Sequence, residues 1–181
     1  MKKKIICLTM ILAVLVCIFT ACDSKNKSEN DVVSYSDLSF SDIYGKEYSD
    51  IFKDNKLTVV NLFATWCSPC VREIPELQKL SETLEEQNIS VVGIVTDARY
   101  NGQIQEDIIE TAKMIAENAD ASYPFLIPDE SDFKGYINSM TVFPETLFID
   151  SDGHIIDSVI GSNSFEEWTA QVERVVSSLE K

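Results

Sequence analysis

The chain is short of positive charge, of histidine and of cysteine, and it has no apolar run as long as the roughly 20 residues that a membrane-spanning helix needs. Against 30 Asp and Glu stand 15 Lys and Arg, a net charge of −15. Phosphate contacts draw on Lys and Arg, so this balance excludes nucleic acid as a partner. It suits solubility and repulsion from anionic lipid. Five unevenly placed cysteines are too few for a disulfide-stapled scaffold. No internal repeat is present. What remains is 181 residues, 45% hydrophobic, 9% aromatic and 25% charged, the make-up of one folded domain of ordinary size.

The N-terminus reads as a targeting segment. Lys2, Lys3 and Lys4 precede an uncharged apolar run from Ile5 to Phe19. That run suits the apolar region of a secretory signal. Ala21 and Cys22 follow, and polar sequence begins at Asp23. Small residues before a cysteine at this point resemble the cleavage box of bacterial lipoproteins. The resemblance implies a signal peptide over residues 1–21, removed before Cys22, and lipid attached to the Cys22 sulfur. An uncleaved N-terminal anchor is the other reading. Both place the rest of the chain outside the cytoplasm, held at the lipid bilayer. A single acyl chain anchors only marginally, so stable attachment would need the several chains that lipoproteins carry. Residues 22–36 open with the polar stretch Asp23 to Asp31 and read as a flexible tether. Residues 37–181 form the domain. With Cys7 and Cys17 in the signal and Cys22 on lipid, only Cys67 and Cys70 are left. One close pair in an exported protein points to chemistry or metal, not to cross-linking of distant loops.

The domain alternates strand and helix signals. Leu38 to Ile51 alternates loosely around Gly45 and predicts an N-terminal hairpin. Leu57 to Phe63 and Ile89 to Val95 are near-continuous apolar runs, as in strands covered on both faces. Between them Val71, Ile74, Leu77, Leu80 and Leu84 fall on one helical face. Strand, helix, strand with short links forces the two strands parallel and the crossover right-handed. A helical insert is predicted from Gln103 to Ala119, with Ile104, Ile108, Ala112, Ile115 and Ala119 inward. Tyr123 to Ile127 predicts a short strand and Ser131 to Ile137 a helical turn. Glu145 to Asp150 and Ile155 to Ile160 predict antiparallel strands, because Asp152-Gly153 suits a tight turn. A last helix starts at Ser164, with Glu167 completing a capping box. Phe165, Trp168, Val172, Val175 and Leu179 form its buried stripe.

The informative segment is Phe63-Ala64-Thr65-Trp66-Cys67-Ser68-Pro69-Cys70. It follows a buried strand and opens an amphipathic helix. Unpaired amides and the dipole at a helix start stabilise an anion. A thiolate is such an anion, so the first cysteine is expected to ionise easily. Cys67 is expected to be the exposed nucleophile and Cys70, further into the helix, the resolving thiol. A structural zinc site needs four ligands, and neither a second cysteine pair nor more than one histidine, His154, is available. Cu(I) accepts two thiolates but usually draws on Met or His. Met114 and Met140 sit where core packing suits them better, and no metal is expected.

From about Leu38 onward these pieces resemble the thioredoxin superfamily, in its membrane-anchored extracytoplasmic branch (TlpA/ResA-like). The matching stretches are F-S-D-I-Y-G-K, V-V-N-L-F-A-T-W-C-S-P-C, V-R-E-I-P, F-P-E-T-L-F-I-D and the D-G hairpin. The resemblance implies an α/β thioredoxin-like fold, a central mixed sheet flanked by helices, and thiol–disulfide exchange through a redox-active Cys67–Cys70 disulfide with no other cofactor. It implies that Pro144 is a cis-proline beside the disulfide. Trp66, Ser68, Pro69, Phe143 and Pro144 then line the substrate groove. Trp66 is expected to cover one side of the disulfide. Asn61 stands where cytoplasmic relatives keep a buried acid. Glu73, one turn after Cys70, matches this branch's acidic residue and is the expected proton acceptor for Cys70, its pKa raised by partial burial. Pro75 is expected to kink the helix. Trp168 is expected in the core and His154 in solvent.

The pair Ser68-Pro69 brings no cation between the cysteines. A cation there would stabilise the thiolate and favour the reduced form, so the motif leans to a reductase. A reductase outside the cytoplasm needs a membrane thiol electron donor. Candidate clients are disulfide-containing exported proteins, a methionine sulfoxide reductase or apocytochrome c. The P-E-T at Pro144 resembles members that act in cytochrome c maturation. Two rivals stand beside this reading. One is a thiol peroxidase of related fold, which would want a Pro as well as Thr65 ahead of its cysteine. The other is a lipoprotein that binds or delivers copper.

Overall fold

The structure is a computed structural model that describes residues 33–129 and 135–180. The predicted signal, the lipid-site Cys22 and most of the tether lie outside the described residues. The chain runs through β1 (Phe40–Asp42), β2 (Glu47–Tyr48), β3 (Leu57–Phe63), α1 (Ser68–Leu84), a 3-10 turn (Glu85–Gln87), β4 (Ile89–Val95), β5 (Arg99–Tyr100), β6 (Gln103–Ile104), α2 (Glu106–Asn118), β7 (Phe125–Ile127), α3 (Tyr136–Ser139), β8 (Glu145–Asp150), β9 (Ile155–Ile160) and α4 (Phe165–Leu179). Seven strands form one mixed sheet in the order β2-β1-β7-β4-β3-β8-β9. β3 and β4 pair in parallel across α1, whereas β8 runs antiparallel to β3 and to β9. This is the thioredoxin-like α/β fold expected from the motifs.

All seven residues of β3 are buried because both of its faces are covered. Leu57, Val59 and Phe63 join a core with Ile74, Leu77 and Leu80 of α1, Ile109 and Ala112 of α2, and Trp168 and Val172 of α4. Val60 and Leu62 point the other way, into a core closed by Tyr35, Phe40, Ile51 and Phe52, with Tyr136, Ile137 and Met140 packed on it. Each buried Leu, Ile or Val contributes about 1.5–3 kcal/mol relative to exposure. The long helices therefore share one core, and the opposite sheet face is covered by the N-terminal segment and α3. The capping box of α4 forms as expected: Glu167 N donates to Ser164 Oγ at 3.3 Å and Ser164 N to Glu167 Oε2 at 2.8 Å.

Three expectations change. First, the tether was expected to reach residue 36, yet Tyr35 is buried, its N–H donates to Gly153 O at 2.8 Å, and Ser34 bridges His154. An aromatic residue among polar neighbours finds the hairpin turn to pack on. Second, the insert starts with a separate β5–β6 hairpin and its helix begins only at Glu106. On α2 the expected Ala112 is buried and Ile108, Ile115 and Ala119 pack against the same core beside Ile109 and Ala116, whereas Ile104 is exposed on the hairpin. Asn101 and Gly102, both at positive φ, make a turn that outweighs the helical spacing. Third, Leu179 is exposed at the last position of α4, and Val71 is half-buried. α1 is continuous from Ser68 to Leu84 with Pro75 inside it. His154 is half-buried, with Nδ1 3.5 Å from Asp150 Oδ2.

Candidate functional site

The site lies at one end of the sheet, where β3 leaves and β8 enters. Phe63 ends β3, and the chain turns through Ala64 to Cys67, with Cys67 N donating to Ala64 O at 3.0 Å. Cys67 has extended φ/ψ (−84°, 98°) and is the N-cap of α1, with Pro in the first turn. Pro is suited there because its missing N–H would be unpaired anyway. Cys70 N donates to Cys67 Sγ at 3.3 Å, so the sulfur occupies the place of a capping oxygen. No acidic residue lies in the first turn to compete for the helix amides. Cys67 and Cys70 are disulfide-bonded, with Cα atoms 5.3 Å apart.

Cys67 was expected to be exposed; it is 5% exposed, and Cys70 is fully buried. With its sulfur turned onto the helix amides and bonded to Cys70, Cys67 packs with the core of the α1 face. Ser68 and Pro69 stand exposed above the pair. Trp66 is 69% exposed and meets Phe143 edge-on, ring centroids 5.6 Å apart. The Phe143–Pro144 bond is cis, Pro144 is buried, and Pro144 O accepts from Gly161 N at 2.9 Å. The structure thus brings both halves of the proposed groove, Trp66 and Phe143, into contact.

Glu73 lies on the buried face of α1 and is 2% exposed. Its Oε1 accepts from Asn61 Nδ2 at 2.9 Å and its Oε2 from Asn163 N at 3.2 Å. Burial pushes its pKa up to about 7, against the lowering pull of those two donors and of Trp168. The Trp168 indole acts from a distance, since its Nε1 meets no acceptor in hydrogen-bonding geometry. A carboxyl whose proton is held this close to neutral pH is suited to give or take one. Asn61 Nδ2 also donates to Thr146 Oγ1 at 3.0 Å, while its buried Oδ1 finds no partner. Glu145, next to Pro144, accepts from Tyr136 OH at 2.7 Å. Burial, then this bond, raises the Tyr136 pKa.

Several residues of the site carry no signal in the sequence. Asn163 contributes a backbone amide, which any residue supplies. Asp97 grips the active-site loop from the end of β4, through Thr65. Thr146 sits inside the P-E-T stretch, but only the pairing of Asn61 with Thr146 across β3 and β8 shows its role. Among the described residues, the one cluster of His, Cys, Asp or Glu with mutually close ligand atoms is Asp150, Asp152 and His154, at the other end of the sheet.

A family model described as the AhpC/TSA family matches residues 34–158. The thiol-disulfide oxidoreductase ResA of Bacillus cereus is 22% identical over 134 residues, 74% of this chain and 72% of that protein. The thioredoxin-like protein YneN of Bacillus subtilis is 26% identical over 137 residues, 76% of this chain and 75% of its own. A thioredoxin-family thiol:disulfide interchange protein from Chlorobium tepidum superposes with a TM-score of 0.64 at 26% identity, covering 79% of this chain and 95% of that one. The match over most of the described domain means that the chain belongs to the AhpC/TSA family, on its thioredoxin-like side with the thiol–disulfide oxidoreductases.

Proposed function

We propose that the protein is an extracytoplasmic thiol–disulfide oxidoreductase, anchored to the cell membrane through lipid on Cys22, that reduces disulfides of exported proteins. The observation that carries this reading is the Cys67–Cys70 disulfide at a helix start, with the buried Glu73 one turn below it. In the reduced protein the Cys67 thiolate attacks a client disulfide, forming a Cys67–client bond and releasing one client thiolate, which takes up a proton. Cys70 passes its proton to Glu73, and its thiolate attacks the Cys67 sulfur. The Cys67–Cys70 disulfide closes as the Cys67–client bond breaks, and the second client sulfur leaves as a thiolate that takes up the proton Glu73 releases. Two electrons and two protons reach the client. A membrane thiol donor returns the pair to the dithiol by the same exchange in reverse.

Trp66, Phe143 and Pro144, with the exposed Ser68 and Pro69, form the wall against which the client segment lies. Apocytochrome c is one client class with two nearby cysteines, and the P-E-T at Pro144 favours it. The reductase direction rests on Ser68-Pro69, which brings no cation to the thiolate. Membrane attachment rests on the run from Lys2 to Cys22; no helix among the described residues is long and apolar enough to cross a membrane. Cys22→Ala should abolish lipid attachment, seen as loss of labelled fatty acid on the protein and of cleavage after Ala21.

The deciding experiment is trapping in the native cells with Cys70→Ser. Accumulated mixed disulfides through Cys67 name clients and donor together. Trapping none, with Cys67→Ser behaving alike, would rule out exchange. A thiol peroxidase would instead consume hydroperoxide at a rate that depends on Cys67, with thiol as reductant.

A further inference from the structure

The loop from β3 to Cys67 is held by two residues at the end of β4. Thr96 N and Thr96 Oγ1 each donate to Phe63 O at 2.9 Å. Asp97 then takes over: Thr65 N donates to Asp97 Oδ1 and Oδ2 at 3.1 and 3.0 Å, and Thr65 Oγ1 donates to Oδ2 at 2.6 Å. An O–H donor this close to a carboxylate is in the range of the strong, charge-assisted bonds. Thr65 lies next to Trp66 and two residues before Cys67, within the turn that Cys67 N closes on Ala64 O. Asp97 therefore fixes the step that makes Cys67 the N-cap of α1 and turns Trp66 outward onto Phe143.

We propose that Asp97 is a positioning residue for the exchange reaction, which holds the Cys67 loop through Thr65 and whose charge opposes ionisation of Cys67. This rests on the thiol–disulfide reading of the site. The helix amides favour the thiolate from one side. A carboxylate on the loop side disfavours it. A less stable thiolate means a less stable reduced form, so the pair gives up its electrons more readily. The chain thus reaches a reducing character with a bare Ser68-Pro69 between the cysteines and a fixed anion behind the loop. The other charged groups on elements around the disulfide are Glu73 and Arg72 of α1, Glu145 of β8, and Arg99 of β5, whose guanidinium bonds Pro128 O and Gly102 O and lies 4.0 Å from Asp129 Oδ2. All of them stay in place in the comparison below, so their own titration cancels between variants.

The test is the equilibrium of the Cys67–Cys70 couple with glutathione, in the full chain, at pH 8.5 and pH 6. Asp97→Asn keeps an acceptor for Thr65 and removes the charge. It should shift the equilibrium constant toward the reduced protein by about threefold or more at pH 8.5, where more of Cys67 is thiolate than at pH 6. At pH 6, where less of Cys67 is thiolate, the shift should be smaller. Thr65→Val keeps the charge and removes the 2.6 Å link. It should slow attack on oxidised glutathione and leave the constant within about twofold. Equal constants in Asp97→Asn and the parent at both pH values overturn the proposal. So does a shift of the same size at both, which marks loop damage in place of charge. A pair that never equilibrates with glutathione in the parent protein overturns this inference and the exchange reading together.

Discussion

At the β8–β9 turn, Asp150 Oδ1 accepts from Asp152 N and His154 N, Ser34 Oγ donates to Asp152 O, and Tyr35 N donates to Gly153 O. At the opposite end of the same strands, Asn61 Oδ1 is buried without a partner, Glu73 is desolvated to a pKa of about 7, and Trp66 stands in solvent. One end satisfies its polar groups and pins the N-terminal segment. The other leaves a buried carboxyl with an easily moved proton one turn beyond Cys70 on α1. The difference separates what holds the fold from what reacts, because a group poised to change its charge is not one the fold has fully stabilised.

The sharpest way to break this contrast is Cys67→Ser, which should abolish disulfide reduction, by at least about a thousandfold, while leaving the β8–β9 end intact. Insulin reduction followed by turbidity measures it. Next is Glu73→Gln. Loss of the proton acceptor should slow resolution of the mixed disulfide about a hundredfold, read by quench and mass analysis.

Stability should change with the same variant. The folded pKa of Glu73 is about 7 against an ordinary 4.5, so the folded protein binds the extra proton between those values. Stability is then highest below pH 4.5 and falls as pH rises to about 7, by about 3 kcal/mol from this group. Urea unfolding of the oxidised protein across that window should show the fall in the parent and its loss in Glu73→Gln.

A change at the other end should do the reverse. Gly153 has φ +78°, and a Cβ there would lie 2.2 Å from Ser36 N. Gly153→Ala should cost about 2–3 kcal/mol, seen in the same unfolding curves, with the exchange rate unchanged. The smallest effect is expected for Trp66→Ala. An exposed ring contact contributes under about 1 kcal/mol to stability. The variant should raise KM for a protein disulfide a few-fold and leave the reaction with glutathione unaltered.

Much of the fold was legible in the residues because the signals were long or local. Leu57 to Phe63, Ile89 to Val95 and the Asp152-Gly153 turn could scarcely be anything but buried strands and a hairpin. The Ser164–Glu167 capping box is a four-residue pattern with one geometric reading. The β5–β6 hairpin was not legible, since its apolar Ile104 fits the helical spacing of α2 as well as it fits an exposed strand. Nor was the burial of Cys67, because a capping cysteine and an exposed one have the same neighbours in sequence.

The sequence by itself determined the reactive chemistry and its setting: two thiols spaced on one helical turn after a buried strand, a proline ahead of β8, and Glu73 a turn beyond. Those relations are local, carried by residues a few positions apart. Only the tertiary structure decided which groups surround the sulfurs. Asn61 and Asn163 reach Glu73 from β3 and from the loop after β9, and Asp97 reaches Thr65 across 32 positions of chain. Hydrogen bonds between distant segments depend on how the sheet brings strand ends together, and no residue's identity states that in advance.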